Sequence, residues 1–103
     1  MYQPLDPAGL QALLQGAAPP QLIDVRSAAE TARGAIASAL HIELSALPAR
    51  ASELDPDVPC VLYCLSGARS AQACAYLAQR GFRRLYHLDG GIAAWAKAGL
   101  PIG

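Results

Sequence analysis

Short apolar runs, broken by glycine, proline and charged residues, succeed one another along this chain, and their period changes from segment to segment. Leu10, Leu13 and Leu14 recur at helical spacing behind Asp6-Pro7, a capping residue followed by proline at the first helical position. That helix is expected to stop near Gly16, ahead of Pro19-Pro20. Gln21-Leu22-Ile23-Asp24-Val25 is an apolar run of strand length. Ser27-Ala28-Ala29-Glu30 has capping-box spacing and predicts a brief helix. Leu40-His41-Ile42 predicts a short strand, and 45–54 a short helix disturbed at Pro48. Val58-Pro59-Cys60-Val61-Leu62-Tyr63 reads as a buried strand whose proline is confined to its start, where a missing N–H is tolerated. Over 70–80, Ala71, Cys74, Ala75 and Ala78 return to helical spacing, with Gly81 as the stop. Leu85-Tyr86-His87-Leu88 is a further strand, and Asp89-Gly90-Gly91 turns the chain into a last helix through Ile92 and Trp95, ending at Gly99.

Strands that alternate with helices imply right-handed crossovers and a mainly parallel sheet covered on both faces, an α/β fold. Ligand sites in such sheets lie beyond the carboxyl ends of the strands. Cys64 falls at that end of its strand, followed by Leu65-Ser66-Gly67-Ala68-Arg69-Ser70, a loop with one glycine and one cation that runs into a helix expected to begin at or near Ser70. Converging backbone N–H groups and a helix N-terminus stabilise a thiolate, so this position predicts a lowered pKa and a reactive sulfur.

Composition narrows the function. The chain has 103 residues, one domain's worth, and its formal net charge is zero, which offers no electrostatic footprint for nucleic acid or an anionic membrane surface. Apolar residues make up 53% of it, yet no run approaches the roughly 20 residues a membrane helix needs. The first residues carry neither a basic region nor a long apolar stretch, so no signal peptide is expected. Three cysteines, an odd number, favour a reducing compartment, and a cytoplasmic location is the expectation.

The remaining chemistry-bearing residues have plainer explanations. Cys60 precedes Cys64 in the same strand by roughly 13 Å at strand rise, too far for a disulfide, and reads as core. Cys74 sits on the apolar stripe of its helix, where packing explains it better than a resolving role. His41 and His87 are isolated, without metal-ligand spacing, and no metal is expected. Neither histidine adjoins Cys64, so no Cys–His pair is indicated. Gly90-Gly91 reads as a turn and Trp95 as core, and Ser70 has a simple alternative as a helix cap.

The ordered set Tyr63-Cys64-Leu65-Ser66-Gly67-Ala68-Arg69-Ser70, Ala75, Leu77, Gly81-Phe82, Leu88, Gly90-Gly91-Ile92, Ala94-Trp95 and Ala98-Gly99-Leu100-Pro101 resembles the rhodanese family of sulfurtransferases. Upstream, Leu22-Ile23-Asp24-Val25-Arg26 is similar to the family's first core strand, and Arg33-Gly34-Ala35-Ile36 to its Gly-His-Ile segment, with Ala35 in place of the frequent histidine. The resemblance implies a single rhodanese-like domain over 1–103, a three-layer fold of about five mainly parallel strands flanked by helices. It implies a thiosulfate sulfurtransferase (rhodanese)-type enzyme without a cofactor. In such an enzyme Cys64 takes a sulfane sulfur from thiosulfate or a persulfide donor, carries it as a persulfide, and passes it to cyanide or another thiophilic acceptor, a protein or small thiol. Carried over by position, the backbone amides of Leu65, Ser66, Gly67, Ala68, Arg69 and Ser70 would cradle the outer sulfur or the anionic donor. Arg69 would supply the one fixed charge at the mouth, and Asp24 would anchor the core beside the loop.

Two other readings stay open. Some phosphatases and arsenate reductases share this fold. Phosphatase loops of this kind place five residues between cysteine and arginine, whereas four separate Cys64 from Arg69, a smaller cradle suited to a single sulfur. A sulfur-relay or partner-binding module is the other, and retention of Cys64, Gly67 and Arg69 speaks for activity.

Overall fold

The computed structural model describes residues 2–103. Five parallel strands form one sheet: β1 (Gln3–Leu5), β2 (Gln21–Asp24), β3 (Leu40–His41), β4 (Cys60–Tyr63) and β5 (Leu85–Leu88), in the order β1-β5-β4-β2-β3. Five α-helices accompany them: α1 (Pro7–Leu14), α2 (Ala28–Ala32), α3 (Leu47–Arg50), α4 (Ala68–Gln79) and α5 (Gly91–Lys97).

Side chains alternate across a strand, and here both faces are buried. Val61 and Tyr63 of β4 join Leu22, Leu10, Leu88, Ile92 and Trp95 on the side covered by α1 and α5. Cys60, Leu62 and Cys64 join Ile23, Ala73, Cys74, Leu77 and Leu85 on the side covered by α4. Burying both faces removes the polar alternation a half-exposed strand would show, which is why β2 and β4 read as continuous apolar runs.

Local signals build the helices. Asp6 accepts the Gly9 N–H at 2.7 Å and caps α1, with Pro7 behind it. Ser27 and Glu30 form the reciprocal capping box of α2. The expected helix over 45–54 is instead three short pieces, with 3₁₀ turns at Leu44–Ala46 and Ala51–Glu53 flanking α3. Pro48 sits near the start of α3, where a missing N–H is harmless. The strand expected over 58–63 begins only at Cys60, leaving Pro59 outside it. The fold also contains β1, which no apolar pattern announces.

The chain leaving β2 turns toward β3, and the chain leaving β4 turns toward β5. The loops therefore part between the carboxyl ends of β2 and β4, the place where open α/β sheets form a crevice. Cys64 stands at that point. Among the described residues no helix is long and apolar enough to cross a membrane.

Candidate active site

Cys64 lies at the floor of the loop, only 1% exposed. The chain reverses at Gly67, whose φ of 120° lies in the left-handed region that side chains avoid. Gly67 then caps α4, which starts at Ala68, two residues before the expected point. Ser70 is accordingly inside the first turn and not the cap. The Gly67 N–H donates to Cys64 Sγ at 3.0 Å and the Ser70 N–H at 3.4 Å, with the Ser66 amide adding to them. Leu65, Ser66 and Ala68 form the exposed rim, while Gly67 and Ser70 are buried.

Burial pushes the Cys64 thiol up, but the amides of Ser70, Gly67 and Ser66 and the Ser70 hydroxyl outweigh it, holding the thiol below its ordinary value. The Ser70 hydroxyl has a double position, 3.1 Å from the Gly67 carbonyl, to which it donates, and 3.6 Å from Cys64 Sγ, from which it accepts. On ionisation of the thiol the same hydroxyl is placed to donate to sulfur. Ser70→Ala should therefore move the acid limb of the Cys64 alkylation rate to higher pH and slow the reaction several-fold near pH 7. A pH–alkylation profile superimposable on that of the wild type would remove Ser70 from this role.

The back of the loop is held by α5. The Ile92 N–H donates to the Cys64 carbonyl at 2.9 Å and the Ala93 N–H to the Leu65 carbonyl at 3.2 Å. This contact requires Gly91, since a Cβ there would lie 2.3 Å from the Leu65 carbonyl oxygen. The Gly90-Gly91 turn thus serves the loop: it ties off two carbonyls on the α5 side while Cys64 Sγ packs on the α4 side among the loop amides. Beneath Gly67 lies His87 of β5, and a Cβ on Gly67 would come 3.9 Å from its ring. His87 Nδ1 is buried with no hydrogen-bond partner among the described residues, and Tyr2 meets the ring edge-on with centroids 5.4 Å apart. Nothing in the residue pattern signals this placement beyond the alternation of β5.

On the β2 side, Asp24 is fully buried and accepts from five donors: the Arg26 N–H at 2.9 Å, Arg26 Nε at 3.0 Å, Arg26 Nη2 at 2.7 Å, the Thr31 hydroxyl at 3.1 Å and the Tyr63 hydroxyl at 2.9 Å. Tyr63 in turn accepts the Ile36 N–H at 3.1 Å, and Arg26 donates to the Gly34 carbonyl at 2.7 Å. This network locks the residue immediately before Cys64 to the segment after β2. Arg69 is the surprise: its guanidinium is engaged by Glu30 in a two-pronged pair at 2.6 and 2.9 Å. The cation expected at the mouth is thus already paired. Sequence reasoning missed Glu30, whose capping role explained it locally.

Cys60 and Cys74 are fully buried, away from the loop, and burial pushes their thiols up to about 11 and about 12. His41 is occupied with the Arg26 carbonyl at 2.7 Å. No group of three or more His, Cys, Asp and Glu able to hold a metal occurs among the described residues.

Comparison with known proteins agrees with this geometry. The family model for the rhodanese-like domain matches residues 6–98. An Allochromatium vinosum protein named "Sulfurtransferase" is 53% identical over 81 residues, 79% of this chain and 76% of that one. The Pseudomonas aeruginosa "Thiosulfate sulfurtransferase GlpE" is 33% identical over 94 residues, 91% of this chain and 84% of its own length. The crystal structure of a rhodanese-related protein from Thermoplasma volcanium superposes with a TM-score of 0.90 at 29% identity, covering 99% of this chain and 98% of that one. The match of the family model along nearly the whole chain, the five-stranded parallel sheet and the relatives over most of its length establish that the chain belongs to the rhodanese-like domain family.

Proposed function

We propose that this protein is a sulfurtransferase in which Cys64 carries the transferred sulfur. The Cys64 thiolate attacks the outer sulfur of thiosulfate, the donor's S–S bond breaks, and sulfite departs with the electron pair. The persulfide left on Cys64 then yields its outer sulfur to cyanide or a thiol acceptor, and the enzyme thiolate returns. Neither step needs an external oxidant or reductant, and no cofactor is called for.

The observation that carries this reading is the convergence of N–H donors on Cys64 Sγ at the start of α4. Such donors favour the attacking thiolate and then the terminal charge of the persulfide, as an oxyanion hole favours an oxyanion. The sulfur of a residue only 1% exposed is reached end-on by a slim sulfane sulfur more readily than by a tetrahedral phosphoryl group. Phosphoryl transfer would also call on Arg69 to hold the equatorial oxygens, and Arg69 is engaged by Glu30. The relatives named as sulfurtransferases support the same assignment.

Intact-protein mass spectrometry tests it. The wild-type protein should gain one sulfur atom on incubation with thiosulfate or a small persulfide, and cyanide should remove it. No gain with either donor would overturn the assignment, and turnover of an aryl phosphate or arsenate would replace it.

A further inference from the structure

Arg69 is the one charged residue of the loop 64–70, and Glu30 is the first of the groups that act on its charge, ahead of Cys64 and Asp24. Glu30 Oε1 accepts from Arg69 Nη1 at 2.6 Å, from the Ser27 N–H at 3.1 Å and from the Ser27 hydroxyl at 3.0 Å; Oε2 accepts from Arg69 Nη2 at 2.9 Å. The carboxylate is therefore fixed twice, by the capping box of α2 and by a planar fork, the geometry in which arginine–carboxylate pairs are strongest. The Arg69 guanidinium, followed by the Ser27 backbone, holds the Glu30 carboxyl far below the usual carboxylate range, so it stays ionised at any working pH. Both side chains remain partly open to solvent, 34% and 25% exposed, and Glu30 lines a surface cavity together with Leu65 of the loop. Deeper in, Arg26 is likewise neutralised by Asp24.

Resting on the sulfurtransferase reading above, we infer that Glu30 is a positioning residue that tunes donor preference: by cancelling Arg69 it removes the advantage that dianionic thiosulfate would have over a singly charged organic persulfide. A loop whose only cation were free would attract the dianion about twice as strongly as a monoanion. With the cation paired, neither donor gains from it, and binding falls to the loop amides, which need only a terminal sulfur. The thiol-persulfide end, with one charge and a narrow shape, satisfies them fully.

The test is a charge series at one place, read as KM for thiosulfate with cyanide as acceptor. The Glu30/Arg69 pair is neutral in the wild type, positive in Glu30→Gln, negative in Arg69→Ala and neutral again in the double variant. Glutamine also serves at this capping-box position, so Glu30→Gln keeps α2 capped. KM should fall about tenfold in Glu30→Gln, rise in Arg69→Ala, and return close to the wild-type value in the double variant, with the differences compressed at high salt. For the persulfide of a neutral thiol the Glu30→Gln change should be about threefold. A shift acting only through the Cys64 thiolate would move both donors equally, so equal changes overturn the inference. Ser27→Ala, which loosens the cap without altering charge, should leave the thiosulfate KM within about twofold; a tenfold change there would mean that helix capping, and not charge, is at work. A wild-type protein that transfers sulfur while its variants ignore the charge order sinks this inference alone. One that takes sulfur from neither donor sinks the sulfurtransferase reading with it.

Discussion

Cys64→Ser is expected to abolish sulfur transfer, lowering kcat at least about 10³-fold, while the protein stays folded. The sulfur receives the Gly67 and Ser70 N–H groups and sits at the start of α4, as the proposed carrier requires. A serine hydroxyl in that cradle stays protonated at neutral pH, and its oxygen does not relay a sulfane sulfur. The substitution is nearly isosteric, and the same amides satisfy the new oxygen, so the melting temperature should change little. Cys60→Ala and Cys74→Ala provide the contrast. Their thiols are raised and buried away from the loop, and both variants should keep most of the activity. Rates in the standard cyanide assay, together with the sulfur content of each protein by mass spectrometry, check all three. Near-wild-type turnover in Cys64→Ser would exclude Cys64 as the carrier.

The second large effect is on stability. Asp24→Ala should destabilise the fold by about 3–5 kcal/mol, because it leaves the Arg26 guanidinium, 5% exposed, buried without its counter-charge. The Tyr63 and Thr31 hydroxyls lose their acceptor in the same step. Denaturant midpoints measure this, and Tyr63→Phe, which deletes the bond to Asp24 and the acceptor of the buried Ile36 N–H, should cost about 2 kcal/mol and still fold. A pH dependence follows from the same group. Burial pushes the Asp24 carboxyl up, but the Arg26 side chain and N–H and the Tyr63 hydroxyl bring it below its ordinary value. A folded pKa below the unfolded one gives stability that is complete above the unfolded value, about 3.9, and is lost as pH falls through the folded value. Wild-type stability should therefore drop below about pH 4, and the part of that drop due to Asp24 should vanish in Asp24→Ala. An Asp24→Ala protein as stable as the wild type would show that the network is dispensable.

What the sequence made legible was what short stretches encode. The Asp6-Pro7 cap, the Ser27–Glu30 box and the apolar runs of β2, β4 and β5 carry their own signals, and the structure shows each of these elements. β1 was not legible, because Gln3 and Pro4 are exposed and the partner that makes the segment a strand, β5, lies at the far end of the chain. α4 starts two residues before the point the residue pattern predicts because Gly67 caps it through an unusual φ and not through a side chain. The candidate nucleophile and its loop could be named from residue order, since a strand, a cysteine, a glycine and a helix are consecutive. The partners that define the electrostatics of that loop could not. Glu30 and Arg69 are 39 positions apart, as are Asp24 and Tyr63, and only the crossover between β2 and β4 brings them together. The α5 amides on the Cys64 and Leu65 carbonyls belong to the same class, long-range contacts made by backbone atoms that leave no compositional trace.

The two outermost strands have a consequence for how the domain lives among copies of itself. β1 is three residues long with a proline at its centre, and β3 is two residues long. An open sheet edge templates aggregation when it offers a long row of unpaired N–H and C=O groups. Pro4 has no N–H to offer, and β3 ends before a second chain could set a register against it. The flat, sticky borders that parallel sheets otherwise present are thus cut short on both sides, and a crowded solution of this protein has little backbone on which to zip into fibres.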